Sequence, residues 1–289
     1  MLFGYPLALI YSHITLGLIN GAFYAVLSLG LAIIFGILGI INFVHGALYM
    51  MGAVFAWMLL ATFGFGYWLA LLVSPLIVGI LAIALERIFI SRLYAQDQIY
   101  AFILTFGLAL MIESLFSNFM GSTGLTYPLP PQLTGAVNLG FMFVPRYRIW
   151  IVIASAVACA AAWLLIDETK LGSKLRAAAE NGPIVQALGV NVPLMRTLTY
   201  GAGGALAAFA GVLAAPIYSV SPHMGTNIVI VVFAIVVIGG LGSIKGSILA
   251  SLGLGVLEGL AKLFVPNASA VVIFVVMAVV LLYRGRSLT

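Results

Sequence analysis

Charge is scarce in this 289-residue chain. Only 7% of the residues are Asp, Glu, Lys or Arg, whereas 64% are apolar and the mean hydropathy is +1.25. A soluble domain carries about 25% charged residues. A chain this poor in charge cannot cover a water-facing surface, so its main solvent is lipid. Cysteine is nearly absent too: Cys159 is the only one, which excludes an intramolecular disulfide and reads as a small buried apolar residue. Three scattered histidines, His13, His45 and His223, do not form a metal-ligand pattern. Neither Gly-x-Ser-x-Gly nor His-Glu-x-x-His occurs, so no hydrolase constellation is present. Residues 1–6 lack the basic start of a cleaved signal peptide, and the first apolar run is expected to be retained.

Long apolar runs fill what remains. A membrane-crossing helix needs about 20 apolar residues. Runs of that kind fall near 8–38, 41–63, 67–89, 99–120, 149–166, 197–217, 227–241, 247–264 and 270–283. The expected fold is all-α: one polytopic membrane domain over 1–289 with eight or nine transmembrane helices, nine preferred, some of them Gly-broken or re-entrant. The first run exceeds one straight crossing, so it tilts or bends at Gly36 to Gly39. The seventh is short and ends in glycines. No soluble ATPase or catalytic domain has room.

The net charge of +5 belongs to span ends rather than to nucleic-acid binding. Basic residues concentrate on the cytoplasmic side of membrane proteins. With segment 167–196 inside, Arg87, Arg92, Lys170, Lys174, Arg176, Arg196, Lys245, Arg284 and Arg286 lie inside, and Arg146, Arg148 and Lys262 outside. That alternation puts the N-terminus outside and the C-terminus inside a prokaryotic plasma membrane. The largest outside loop, 121–148, holds Pro128, Pro130, Pro131 and Pro145. It has the makings of a short hairpin, and it suits either a partner-receiving or pore-covering loop or a plain connector.

One polar stretch breaks the apolar pattern. From Asp167 the chain runs Glu168-Thr169-Lys170-Leu171-Gly172-Ser173-Lys174-Leu175-Arg176 and on through Ala177-Ala178-Ala179-Glu180-Asn181-Gly182 to Gly189. It has helical character and basic residues, and Gly182-Pro183 offers a turn. A membrane protein keeps such a segment in water to bind a soluble partner. Three small-residue pairs, Gly17/Gly21, Gly242/Gly246 and Gly255/Gly259, have the spacing of close helix packing. They read as tight seams or as moving ones. The run 238–247 resembles a phosphate loop, but Ile244 and Gly246 flank Lys245 where Gly and Ser or Thr are required. A glycine-interrupted helix pair remains.

Ionisable groups within spans are candidates for function. Glu258 stands four residues before Lys262, the favourable order on a helix, and reads first as a structural pair. Glu113 has no in-register basic partner, which leaves a pathway or subunit-facing role open beside a structural one. Glu86-Arg87 at a span end reads as snorkelling. Asn42 and His45 precede an apolar helix, as caps or as pathway groups.

Taken together, several stretches resemble the permease subunit of branched-chain amino acid ABC importers, the LivH type. They are Gly17-Leu18-Ile19-Asn20-Gly21-Ala22-Phe23-Tyr24 with Asn42-Phe43-Val44-His45-Gly46; Leu104-Thr105-Phe106-Gly107; Gly172 to Asn181 with Ala187-Leu188-Gly189-Val190-Asn191; Gly204 to Leu213; and Gly239-Gly240-Leu241-Gly242-Ser243 with Leu257-Glu258. They follow the family's order along nearly the whole chain. The resemblance implies a pore made with a second, LivM-like permease, two cytoplasmic ATPases that hold ATP-Mg, and an extracytoplasmic binding protein, with no cofactor on this chain. It implies that Arg176, Ala177, Ala178, Ala179, Glu180, Asn181, Gly182 and Gly189 form the coupling segment. The pathway or gating candidates beside it are Asn42, His45, Glu113, Gly203, Gly204, Gly239, Gly240, Gly242 and Glu258. The chain departs from the pattern at Asn181 (Asp in many relatives), at the apolar run Ile230-Val231-Val232 and in its tail, 282–289. Urea and amide importers share this architecture, and a stand-alone carrier or channel is the alternative of a different class.

Overall fold

The computed structural model describes residues 6–94, 96–121 and 123–286. The first five residues and the last three of the divergent tail therefore lie outside it. Among the described residues the chain forms ten α-helices: α1 (Leu7–Leu38), α2 (Val44–Phe63), α3 (Tyr67–Ile88), α4 (Gln98–Met120), α5 (Arg146–Asp167), α6 (Lys170–Ala187), α7 (Val192–Ala214), α8 (Met224–Gly239), α9 (Ile244–Phe264) and α10 (Ser269–Arg286). Seven of them, α1 to α5, α7 and α9, are long and apolar enough to cross a membrane; α8 and the 271–283 stretch of α10 are apolar but shorter. The chain is a multi-pass, all-α membrane protein. The two three-residue strands β1 (Ala136–Asn138) and β2 (Phe143–Pro145) pair as a small antiparallel hairpin, the one expected in loop 121–148.

Close helix approach explains the glycine content. Gly17 and Gly21 of α1 face Gly255 and Ser251 of α9, and Gly259 faces His13 and Gly17, so the two helices run antiparallel along one seam. A Cβ on Gly17 would stand 2.5 Å from the Gly255 carbonyl oxygen. Both predicted small-residue pairs of this seam are thus each other's partners. The third pair splits: Gly246 packs on Gly239, while Gly242 lies against Gly36 of α1. α7 is the central helix. It packs on α3 through Gly201 and Gly204, on α1 through Gly203, and on α2 through Gly211.

α1 is a single long helix through Leu38, and the chain turns only at the far end of the Gly36 to Gly39 stretch. It ends where Gly39 takes φ 68°, a value glycine adopts without steric cost. The expected second span loses its first turn, because residues 39–43 are not helical. Instead they run back beside α1. His45 Nε2 lies 2.9 Å from the Leu27 carbonyl oxygen, about three turns (roughly 16 Å) before the end of α1. This is the re-entrant piece of the fold. Its backbone is served from neighbouring helices, with Thr105 Oγ1 donating to the Ile41 carbonyl at 3.0 Å. Irregular backbone at this depth survives only where protein or a wet cavity surrounds it.

At the end of the bundle opposite α6, an aromatic knot closes the structure. The Tyr147 hydroxyl donates to the Leu213 carbonyl at 2.9 Å, and Trp150 Nε1 donates to the Tyr67 hydroxyl at 2.9 Å. Loop 121–148 is tied onto this end by the Leu125–Val220 bridge and by buried Tyr127.

Candidate functional site

The polar stretch 167–196 is largely helical, with α6 spanning Lys170–Ala187. Thr169 caps α6 by accepting from the Gly172 amide at 3.3 Å. Gly172 sits so close to Ile166 that a side chain there would collide with the end of α5. Leu175, Ala178 and Gly182 continue the buried face, a helical i, i+3, i+7 pattern. Arg176 ties α6 back to α5: its Nη1 donates to the Ile166 carbonyl at 2.5 Å and lies 3.5 Å from Asp167 Oδ1. The helix breaks at Asn181 (φ −147°, ψ 81°), one residue before the expected Gly182-Pro183 turn. The Asn181 side chain accepts from the Ile184 amide at 3.2 Å and so restarts the helix; an amide oxygen performs this capping as a carboxylate would. Beyond the break, Ile184 and Leu188 are exposed at 58% and 78%. Gly189 ends the unit with φ 85° and open space around it.

Three coupling candidates meet one pathway candidate in a single cavity. A space of about 400 Å³ at the α6 end is lined by Arg176, Ala179, Glu180, Gly36, Gly242 and Lys245, among others. The cavity thus places α6 beside the end of α1 and the α8–α9 turn. That turn is built by Gly240 (φ 98°) and Gly242 (φ 84°), and Ser243 caps α9 by accepting from the Gly246 amide at 3.1 Å.

Asn42 and His45 stand at the re-entrant break. The Tyr200 hydroxyl donates to Asn42 Oδ1 at 3.1 Å. Both residues are buried, and Asn42 Nδ2 and His45 Nδ1 have no hydrogen-bond partner among the described residues. A carbonyl only accepts, so His45 donates to Leu27 through Nε2 and its Nδ1 is a bare acceptor. Unmet buried polar atoms cost about 1–3 kcal/mol each. Asn42 does not cap α2, since no side-chain cap is made there.

The remaining candidates do not join this site. Gly203, Gly204 and Gly239 are helix-contact positions. Glu258 pairs with Lys262 at 2.6 Å, and the Tyr24 hydroxyl donates to it at 3.1 Å; it sits far along α9 from the α6 end. Glu113 has partners invisible in the linear spacing. His223 Nδ1 lies 2.6 Å from its Oε1 and Thr226 donates to its Oε2, both from the start of α8.

Glu86 overturns the snorkelling expectation. It is 1% exposed, accepting from the Tyr94 hydroxyl at 2.6 Å and from the Thr197 hydroxyl at 2.7 Å. The signal was in the sequence: Ile88, Phe89 and Ile90 follow it, so the charge lies inside the apolar run rather than at its edge.

Residues 13–281 match the family model described as "Branched-chain amino acid transport system / permease component". The chain is 30% identical over 286 residues to the high-affinity branched-chain amino acid transport system permease protein LivH of Escherichia coli K12, covering 92% of this chain and 91% of LivH. It is 30% identical over 281 residues to the BraD permease protein of Pseudomonas aeruginosa, covering 93% and 92%. A probable LivH of Methanocaldococcus jannaschii is 28% identical over 253 residues, covering 84% and 78%. No solved structure matches significantly.

Proposed function

Because the chain belongs to the branched-chain amino acid transport system permease family, we propose that it is the pore subunit of an ATP-driven importer for branched-chain amino acids. ATP-Mg is bound and hydrolysed by separate ATPases, not by this chain. A second, related permease completes the pore, and an extracytoplasmic binding protein delivers the substrate. The α6 end faces the cytoplasm of a prokaryotic cell, the N-terminus lies outside and the C-terminus inside. The domain is one unit, with its coupling segment at 167–196.

The observation that carries the coupling reading is α6 itself. It is a water-exposed helix pair in a chain otherwise built for lipid. One face rests on α5 and α7, and Ile184 and Leu188 point away with nothing to cover them. Exposed apolar side chains on a polar helix are anchors for a partner groove. When the ATPases close, α6 is pushed, and the cavity shared by Arg176, Glu180, Gly36 and Gly242 passes the displacement to α1 and the α8–α9 turn. The pathway candidates at Asn42 and His45 lie at the re-entrant break, whose unmet polar atoms are available to water or substrate when the pore opens. Selectivity rests mainly with the binding protein. A stand-alone carrier would draw on free intramembrane carboxylates for ion coupling; Glu86, Glu113 and Glu258 are all engaged by neighbours.

The test is purification in mild detergent from the native membrane, followed by reconstitution with whatever accompanies the chain. Recovery of two ATPases and a related permease, and ATP-dependent leucine uptake with the binding protein, is the expected result. A homo-oligomer that moves leucine without ATP would overturn the proposal, and uptake of urea but not leucine would overturn its substrate.

A further inference from the structure

A second cleft lies at the α6 end, apart from the cavity shared by α6, α1 and the α8–α9 turn. It measures about 480 Å³ and lies between the end of α3 and the start of α7. Arg87 and Arg196 both line it, and neither forms an ion pair among the described residues. Arg196 is held in place: its guanidinium carbon stands 4.9 Å from the centre of the Tyr94 ring, and its Nε is buried without a partner. The acid in the cleft, Glu86, is held by Tyr94 and Thr197 rather than by either guanidinium, and its single formal charge offsets only one of the two. The N-terminal end of α7 borders the cleft through Asn191 and Leu194 and adds a partial positive charge.

Two unpaired guanidiniums against one carboxylate, one of the guanidiniums half-buried and stacked, leave the cleft with excess positive charge and form an anion site. The surroundings identify the kind of anion. Leu194 and Leu198 on α7, and Ile88 and Phe89 at the end of α3, are 43%, 52%, 51% and 40% exposed. Exposed apolar side chains therefore adjoin the cationic cleft along both helices, one of them, Leu194, lining it, at the ends of two helices long and apolar enough to cross a membrane. We propose that this cleft binds the phosphate of an anionic phospholipid, with its acyl chains along α3 and α7. Basic pockets between membrane helices at this level recognise such headgroups. The site also bears on the coupling segment: a Cβ on Gly182, beside the α6 break, would stand 3.5 Å from Arg196 Nη2. A bound phosphate would hold Arg196 and brace the break.

The test uses the full chain with its native partner subunits, in nanodiscs of phosphatidylcholine doped with phosphatidylglycerol, with retained lipid read by native mass spectrometry. Phosphatidylglycerol should be retained in preference to phosphatidylcholine. Arg87→Gln/Arg196→Gln should weaken that retention on the order of tenfold or more. Arg92→Gln, which removes an equal charge from the neighbouring turn outside the cleft, should change it less than about twofold. Arg196→Lys keeps the charge without the planar fork and should retain part of the binding, which separates loss of the site from loss of the fold. Equal retention of the two lipids, or an equal loss in Arg92→Gln, overturns the proposal. So does displacement of the lipid by millimolar inorganic phosphate, which would make this a free-phosphate site. Loss of the ATPases from Arg87→Gln/Arg196→Gln with lipid retention unchanged would assign the cleft to a protein partner instead. None of these readouts depends on the transported substrate.

Discussion

A carboxylate removed from water must be hydrogen-bonded, paired or neutral, and Glu86 meets the requirement with two hydroxyls from different segments. Tyr94 reaches it from the turn after α3 and Thr197 from the first turns of α7, so the residue fastens three pieces of chain. Burial, and then the hydrogen bond to Glu86, raises the Tyr94 hydroxyl well above the usual phenol range. It therefore remains a donor throughout the physiological range, and its contribution is lost only as pH climbs beyond its ordinary value of 10.0. Tyr94→Phe and Thr197→Val are each expected to lower unfolding free energy by about 2 kcal/mol, as hydrogen bonds to a charged group do. The pair should couple, because they share one partner; thermal unfolding in detergent measures both. Gly189 poses a different problem. A side chain there meets no atom within 4 Å, but φ 85° strains any L-residue by about 1–2 kcal/mol. Gly189→Leu and a bulky change at buried Ala178 should reduce ATP-driven uptake while the membrane level of the chain stays normal. Unchanged uptake in both would remove α6 from the coupling path.

At the scale of elements, glycine position matters more than glycine number. Gly17 on α1 faces the backbone of α9, whereas Gly253, also on α9, faces open space. Gly17→Leu is expected to part the two helices and lower both the apparent melting temperature and the amount of chain in the membrane, with an overpacking cost of about 1–3 kcal/mol. Gly253→Leu should leave both unchanged. In α6, the break at Asn181 is followed by Pro183, which cannot donate to the helix ladder. Gly182→Ala/Pro183→Ala has room, since the added carbon at 182 makes only ordinary contacts. It should straighten α6 and redirect Ile184 and Leu188. The expected readout is loss of binding-protein stimulation of ATP hydrolysis in the assembled complex, with assembly itself retained.

For the whole molecule, orientation is the property on which coupling depends. Helix polarity places α6, the start of α7 and the α8–α9 turn at one end, and loop 121–148 with the aromatic knot at the other. Cys159 is buried, so Cys159→Ser provides a background for single cysteines. Ser173→Cys on α6 should be labelled by an impermeant maleimide only when the cytoplasmic face is open. Thr134→Cys, in the loop before β1, should be labelled in intact cells. The opposite pattern would place α6 outside the cell and end its role as a coupler.

Low charge and long apolar runs determined by themselves that this chain is a helical membrane protein, because backbone in lipid must satisfy its own hydrogen bonds. The same reading located α6, since a polar stretch stands out against 64% apolar composition, and it matched Glu258 with Lys262, because a helix brings residues four apart together. Everything that depended on distant segments was decided by tertiary structure. Glu113 finds His223 across more than a hundred residues, Glu86 is buried by α7, and Gly17 meets Gly255. The re-entrant run at 39–43 reads as the start of an apolar span. It stays out of the helix where Thr105 donates to the Ile41 carbonyl, a bond that a helix would otherwise have made, and where Tyr200 holds the Asn42 side chain.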